Sequence, residues 1–275
     1  MFKLYTKKPN AIKYGKLYTA ELPVAFDNKP RTIRVWVPEN YNSEKIEEKY
    51  KVIYMSDGQN IVDKYTTAFG EWNFDEVVHK LIKQGYEGLV VVGIDSPKDD
   101  LKRMNELCSP VPTRKRKNMP NNPIGDQFVK FVFDEVKPLV EKYFNVYSDK
   151  ENVAVGGSSM GGLYAFYAYC YRHNEIGFSL SFSPAFFLYE RERFIKGLHN
   201  WNPKPNDYGK LFFFVGGLNF EGLFTKDTYL AYDYMKRKGF KEDQLGMIFD
   251  STKDHSETSW NAYLDKALTF WLKKK

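Results

Sequence analysis

The sequence predicts an α/β protein whose mostly parallel sheet carries helices on both faces. Short apolar runs typical of strands alternate with segments that have a helical period, and this alternation favours parallel strands joined by helices. One run, Gly88–Ile94, is apolar without interruption, as expected of a strand covered on both faces. The first two strand-like runs follow each other with no helix between them, which predicts an antiparallel N-terminal edge. We expect about eight strands in a single domain over residues 1–275.

The composition is that of an ordinary globular protein. The chain has 275 residues, of which 43% are hydrophobic and 28% are charged. These values exclude a disordered or fibrous protein and allow a sizeable core. The net charge of +6 is mild, and the basic runs Arg114–Lys117 and Lys273–Lys275 are too short for the footprint of a nucleic-acid-binding protein.

The sequence also predicts the compartment and the partners. No stretch approaches the roughly 18 apolar residues of a membrane span, and the basic N-terminus lacks the apolar segment of a signal peptide. The two cysteines, Cys108 and Cys170, form neither a disulfide framework nor a metal site. We therefore expect a reduced, cytoplasmic protein with no membrane or nucleic-acid partner and no metal or organic cofactor. A homodimer is compatible with the sequence but not required by it.

The N-terminal part is predicted as strands followed by a helix. Lys16–Leu22 and Arg31–Val37 are rich in Tyr, Thr, Ile and Val, and the turn-forming residues 27–30 separate them. Val52–Met55 is a short apolar run that ends in an Asp-Gly turn signal. Phe74–Gln84 carries its apolar residues at helical spacing.

The rest of the chain continues the alternation, with two interruptions. Phe128–Tyr143 is a strongly amphipathic helix. Further predicted elements are the strands Asn152–Val155, Phe178–Phe182, Lys210–Val215 and Leu245–Phe249 and the helices Met160–Tyr171, Lys226–Lys238 and Thr258–Leu272. Two segments, 97–123 and 186–205, are polar and irregular and too long for plain connections. We expect them to be loops that cover the functional site.

The most specific signal is a Gly-x-Ser-x-Gly sequence at 157–161, between a predicted strand and a predicted helix. This is the context of a nucleophile elbow, a sharp turn that presents a serine hydroxyl at the carboxyl edge of the sheet. Small residues two before and two after the nucleophile let strand and helix approach. Ser159 fits this frame, whereas Ser158 does not, because Met160 stands two residues after it.

A serine nucleophile needs a general base, and His255 is the best placed histidine. It follows the last predicted strand directly, so it lies at the same carboxyl edge as Ser159. The chain order serine, acid, histidine is also the order found in hydrolases that carry a nucleophile elbow. His79 lies inside a predicted helix and His173 at the end of another, and both are expected to be surface or cap residues.

The acid and the oxyanion donors are expected at the same carboxyl edge of the sheet. Glu221 is the first acid after the strand Lys210–Val215, and Asp227 is the next; we favour Glu221 and keep Asp227 as the alternative. An acid there would hold the imidazole in the right tautomer. For the oxyanion hole, the backbone N–H of Met160 is one donor, and an N–H of Gly58 or Gln59 is the other.

Several segments together resemble one family of α/β hydrolases, the "putative esterase" family that includes enterochelin, feruloyl, acetyl-xylan and esterase D-like esterases. The matching segments, in chain order, are Tyr54–Asn60, Gly70–Trp72, Val92–Asp95, Arg103–Glu106, Gly156–Gly162, Ser183–Ala185 and His255–Glu257 with Trp260. The resemblance implies an α/β-hydrolase fold, in which Ser159 and His255 are catalytic and the loop after Asp57 contributes to the oxyanion hole. The family's Arg-x-x-Glu-Tyr stretch ends in Leu107 here.

Three further residues are candidates for contact with substrate. Arg103 could bind an acidic group of a substrate, although an ion pair with Glu106 is the simpler interpretation. Trp72 and Trp260 could line a pocket, and ordinary core packing is the alternative for both.

Taken together, these residues predict a serine esterase that acts on a small-molecule carboxylic ester. Short acyl esters, acetyl or feruloyl esters of sugars, and siderophore esters all suit a cytoplasmic enzyme of this kind. Two alternatives stay open: an acyltransferase that uses the same three residues, and a non-catalytic binding protein on the same fold.

Overall fold

The computed structural model describes residues 1–6, 12–67, 70–110, 119–201 and 207–275. It confirms the α/β class: a nine-stranded sheet, mostly parallel and antiparallel at its N-terminal edge, runs in the order β1-β2-β3-β5-β4-β6-β7-β8-β9. The strands are β1 (Lys3–Leu4), β2 (Lys16–Val24), β3 (Asp27–Val37), β4 (Lys51–Ser56), β5 (Leu89–Ile94), β6 (Val153–Ser158), β7 (Phe178–Phe182), β8 (Lys210–Gly216) and β9 (Leu245–Asp250).

Eight α-helices lie in the described part of the chain. They are α1 (Phe74–Lys83), α2 (Asp100–Leu107), α3 (Gly125–Lys130), α4 (Lys137–Tyr143), α5 (Met160–Tyr171), α6 (Arg191–Asn200), α7 (Gly222–Arg237) and α8 (Glu257–Trp271). A π-helical segment, Phe131–Val136, stands between α3 and α4. Among the residues described, no helix is both long and apolar enough to span a membrane.

The chain forms two compact units, each built from separate stretches of sequence. The first unit comprises Met1–Ser96, Lys130–Ala154 and Ser256–Lys275, and the second comprises Pro97–Val129 and Val155–His255. The expectation of a single domain over the whole chain stays a prediction.

In the first unit, β2 and β3 form a hairpin that corrects one prediction. Val24 pairs with Asp27, so the turn consists of the two residues between them. Residues 27–30, predicted as the turn, belong to β3 instead. Turn-forming residues are only a local preference, and cross-strand pairing over the length of the hairpin overrides it.

Also in the first unit, β4 and β5 pair in parallel and end side by side. Ser56 is the partner of Ile94, and every residue of both strands is buried. The loops that leave these strands, at residues 57–60 and 95–96, therefore emerge at the same edge.

The second unit contains the parallel strands β7, β8 and β9. Phe182 pairs with Phe214, and Gly216 pairs with Asp250. The segments that follow these three strands thus leave from one edge, and two of them carry the predicted acid and histidine. Burial of aromatic side chains anchors this part of the sheet, since Phe178, Phe182, Phe213 and Phe214 have no exposed surface.

Both predicted loops contain helices, and the expectation of irregular structure was wrong there. α2 begins after Asp99, whose carboxylate accepts the N–H of Lys102 at 2.8 Å as a helix cap. α6 buries Phe194 and Leu198, four residues apart on one helix face. Residues 111–118, which include the basic run Arg114–Lys117, and residues 202–206 are not among the described residues.

Candidate active site

Ser159 lies at the sharp turn between β6 and α5, in a conformation that few serines adopt. Its φ of 59° and ψ of −120° are strained for a residue with a side chain. Two hydrogen bonds hold this backbone: the Ser159 N–H donates to the Phe182 carbonyl at 2.9 Å, and the Ala185 N–H donates to the Ser159 carbonyl at 3.2 Å. The end of β7 therefore fixes the serine from both sides.

The close approach of helix to strand at this turn requires glycine. A Cβ on Gly162 would lie 3.2 Å from the Phe182 carbonyl carbon and still closer to its oxygen. Because backbone atoms cannot move aside cheaply, a larger residue would push α5 away from β7 and displace Ser159.

Glu221 is the acid that the structure places against the histidine. Its side chain is fully buried, and its Oε2 accepts the Nδ1–H of His255. Its Oε1 accepts the Ser183 hydroxyl and, at 2.9 Å, the Gly216 N–H. Three donors and no acceptor match the chemistry of an ionised carboxylate. With Nδ1 protonated, the Nε2 of His255 is left as the basic nitrogen of the ring.

Aromatic rings fix the plane of His255. Its imidazole stacks on Phe224 with centroids 4.3 Å apart, and the ring of Phe220 lies perpendicular to it with centroids 5.5 Å apart. The histidine side chain remains 18% exposed. The loop that carries it is tied to the loop that carries the acid, since the Gly217 and Leu218 N–H groups both donate to the Lys253 carbonyl.

The other acid candidate has a different partner. Asp227 lies on α7, where its Oδ1 accepts a hydrogen bond from Arg191 at 2.6 Å. Six residues along a helix rotate the side-chain direction by a net angle of about 240°, which directs the two carboxylates to different neighbours.

In the first unit, Gly58 and Gln59 belong to a short 3-10 helix, Gly58–Asn60, directly after β4. Ser96 fixes this loop from the end of β5: its hydroxyl donates to Asp57 at 2.6 Å, and its N–H donates to the Gln59 side chain at 3.0 Å. A Cβ on Gly58 would lie 2.6 Å from the Ile94 nitrogen. The loop thus has a defined backbone that only glycine at position 58 permits.

The three predicted substrate contacts lie in dissimilar surroundings. Trp72 and Trp260 stack on each other in the first unit, with centroids 6.0 Å apart and only 2% and 4% of their surface exposed. This burial favours the core-packing alternative for both. Arg103 is a partly buried residue of α2 in the second unit, on the same helix as the buried Glu106.

Sequence reasoning missed the surroundings of the acid. It quoted Ser183 within a motif but assigned it no role, and it did not foresee that Gly216 and Phe224 hold the acid and the imidazole. Only the position of Ser183, directly after a strand at the functional edge, could have drawn attention to it. Within the described ranges, no group of three or more His, Cys, Asp or Glu side chains is arranged to hold a metal ion.

Comparisons with known proteins identify a family for this chain. The model of a family described as "Putative esterase" matches residues 25–271. No curated protein matches the chain.

Solved structures of similar fold cover nearly the whole chain. The BES protein from Bacillus cereus is 21% identical with a TM-score of 0.68, over 97% of this chain and 98% of that one. The siderophore hydrolase EstA from Aspergillus nidulans is 17% identical with a TM-score of 0.72, over 97% and 99%. A feruloyl esterase module from Clostridium thermocellum, complexed with sinapinate, is 14% identical with a TM-score of 0.69, over 98% and 95%. At these identities the likeness concerns the fold.

Proposed function

The chain belongs to the "Putative esterase" family, and from that premise we propose that it is a serine esterase that cleaves a carboxylic ester through an acyl-enzyme on Ser159. The observation that carries the proposal is the hydrogen bond from His255 to the buried Glu221, in the unit that also holds the strained Ser159 turn.

A chain of contacts relates the serine to the acid–histidine pair. The Ser159 N–H donates to Phe182, and the next residue, Ser183, donates its hydroxyl to Glu221. Glu221 in turn accepts the Nδ1–H of His255. Nucleophile, acid and histidine are thus linked through the last residue of β7 and the residue after it, which supports their assignment to one catalytic unit.

In the first half-reaction, the Nε2 of His255 takes the proton of the Ser159 hydroxyl while the serine oxygen attacks the ester carbonyl carbon. The carbonyl π electrons move to oxygen and form a tetrahedral oxyanion. When this intermediate collapses, the bond to the alcohol oxygen breaks. His255 gives its proton to the departing alcohol, and the acyl group stays on Ser159.

In the second half-reaction, water replaces the alcohol. The Nε2 of His255 takes a proton from water, and the resulting hydroxide oxygen attacks the acyl carbon. Collapse of the second tetrahedral intermediate returns the proton to the Ser159 oxygen and releases a carboxylic acid. Glu221 stabilises the imidazolium that forms in both halves without taking its proton.

Met160 is the best supported donor to the oxyanion. It is the first residue of α5, a 12-residue helix whose N-terminus favours nearby negative charge. A second donor from Gly58 or Gln59 remains a prediction. The defined backbone of that loop, braced by Ser96, suits preorganised donation.

The proposed substrate is a small ester with an apolar or aromatic part. Phe220 stands edge-on to the imidazole, yet 55% of its surface is exposed, so an apolar group could cover it. Acetyl or feruloyl esters of sugars and siderophore esters are the candidates. A cytoplasmic location and a homodimer remain predictions.

The test is a series of p-nitrophenyl esters from acetate to decanoate, hydrolysed by wild-type protein and by Ser159→Ala. We expect the variant to stay folded and to lose hydrolysis of every ester, and a fluorophosphonate to label wild type but not the variant. Full activity in folded Ser159→Ala would remove the serine from its role. Ester products with an added alcohol, in place of free acid, would identify the acyltransferase alternative.

A further inference from the structure

We propose that Ser183 is a positioning residue of this site, which holds the Glu221 carboxylate so that its other oxygen faces His255. This inference rests on the proposed function, in which Glu221 acts on His255. Ser183 itself touches neither a reacting atom nor substrate in that mechanism.

The first argument is that the two carboxylate oxygens of Glu221 have different hydrogen-bond donors. One oxygen, Oε1, accepts from the Ser183 hydroxyl and the Gly216 N–H, and the other, Oε2, accepts from His255. Two donors on one oxygen prevent the carboxylate from rotating about its last bond. Oε2 therefore keeps one direction, and that direction sets the orientation of the imidazole.

The second argument is burial. Ser183 and Glu221 have no exposed surface, so solvent does not screen the hydrogen bond between them. A hydrogen bond to a charged acceptor is stronger than one between neutral groups, and more so in a buried site. Loss of the hydroxyl would leave the carboxylate with one donor fewer and nothing of equal strength to replace it.

The third argument is the backbone of Ser183. Its φ is 43°, in the left-handed region that serine rarely occupies. Its N–H donates to the Phe214 carbonyl at 2.6 Å, so the strained conformation is tied to the end of β8. If Ser183 served stability alone, glycine would do better here because it adopts this conformation without strain. The hydrogen bond from the serine hydroxyl to the acid explains why a strained serine occupies this position.

Three variants separate positioning from structure. Ser183→Gly removes the hydroxyl and relieves the backbone strain, and Ser183→Ala removes the hydroxyl alone. The matched control is Ser179→Ala, because Ser179 is also fully buried on β7 but donates to the carbonyl of Ala165 at 3.1 Å, away from the acid.

We expect both Ser183 variants to lose about 10-fold to 100-fold in kcat on p-nitrophenyl acetate, with KM unchanged, because a charged hydrogen bond is lost from the site. Ser179→Ala should stay within about twofold of wild type in kcat, since it removes no bond to Glu221. Ser183→Gly should be at least as stable to heat as Ser183→Ala. If Ser183→Gly kept the wild-type kcat while Ser159→Ala was inactive, the inference about Ser183 would be wrong and the proposed function would stand.

A spectroscopic measurement tests the same link without catalysis. The His255 Nδ1 proton, bonded to a carboxylate, should give a low-field proton NMR signal. We expect this signal to shift or broaden in both Ser183 variants and to remain in place in Ser179→Ala. If Ser159→Ala kept its activity, the proposed function would fail, while an unchanged NMR signal in Ser183→Gly would still refute the role of Ser183.

Discussion

Replacing Glu221 by glutamine should abolish most activity while leaving the shape of the site intact. The glutamine side chain has the same length, but one of its two terminal groups is an amide NH2, which only donates. If its oxygen stays on Ser183 and Gly216, the NH2 faces His255 Nδ1. The imidazole must then move its proton to Nε2, the nitrogen that has to receive the proton of Ser159.

The opposite orientation of the glutamine is no better. Its oxygen would then face His255, but its NH2 would meet the N–H of Gly216, which donates to Glu221 at 2.9 Å in the native site. Two buried donors facing each other leave at least one unsatisfied, at a cost of about 1–3 kcal/mol. Glu221→Gln therefore favours the imidazole tautomer with its proton on Nε2 by that free energy, or it keeps the native tautomer and leaves the site less stable by the same free energy.

We expect kcat/KM of Glu221→Gln on p-nitrophenyl acetate to fall by about 10-fold to 10⁴-fold. The lower limit follows from that cost of about 1–3 kcal/mol, and the upper limit is the loss known for the analogous exchange in the chymotrypsin-type triad. The control is Asp227→Asn, which alters the ion pair with Arg191 and should stay within about twofold of wild type. Folded Glu221→Gln with more than about a tenth of wild-type kcat/KM would refute the tautomer argument. A large loss in Asp227→Asn would refute the choice of acid.

Three further predictions concern stability, pH and specificity. Gly58→Ala should lower the free energy of unfolding by about 1–3 kcal/mol in urea titration, because its Cβ would lie 2.6 Å from the Ile94 nitrogen. The control is Gly197→Ala on α6, whose Cβ would meet nothing within 4 Å and which should be neutral or stabilising. Equal effects of the two substitutions would contradict this prediction. Burial, with help from nearby carboxylates, raises the pKa of Glu71 from 4.5 to about 7. The folded state thus favours protonated Glu71, so stability is complete below about pH 4.5 and is lost as pH rises through 7. Glu71→Gln should then stabilise the protein at pH 8 by less than about 1 kcal/mol, since the group is only partly buried, and not at pH 4. A gain that is the same at both pH values in thermal melts would refute this. Phe220→Ala should reduce kcat/KM about tenfold on aromatic esters and less on acetate; a uniform loss would exclude a role in specificity.

Much of the fold could be predicted because strand and helix periods are strong local signals. The buried strand predicted at Gly88–Ile94 is β5, Leu89–Ile94, and the predicted parallel sheet is confirmed. The errors occurred where local composition and tertiary packing disagree. Residues 27–30 have turn-forming side chains but pair within β3. Within the second segment predicted as irregular, Arg191–Asn200 forms a helix because its apolar residues Phe194 and Leu198 are buried.

For the candidate site, the sequence predicted residue types and order but not which side chains meet. Glu221 is the first acid after β8 and Asp227 is the next, and the sequence favours Glu221 by this order alone. In the structure, the short 3-10 helix Asn219–Glu221 turns the Glu221 side chain back to the Gly216 N–H at the end of β8. A turn of this kind depends on one backbone angle, φ 54° at Asn219, which no periodicity reports.

The strained residues of the second unit lie together around the proposed chemistry. Ser159, Ser183 and Asn219 are the non-glycine residues with positive φ in the described part of that unit. They are respectively the proposed nucleophile, the residue that holds the acid, and the start of the turn that carries the acid. Each such conformation costs about 1 kcal/mol or more, so the three together take a noticeable share of the 5–15 kcal/mol that stabilises a typical domain. Strain in these positions serves geometry at the expense of stability, so Ser183→Gly, which relieves the strain, should be at least as stable to heat as Ser183→Ala while both variants lose kcat.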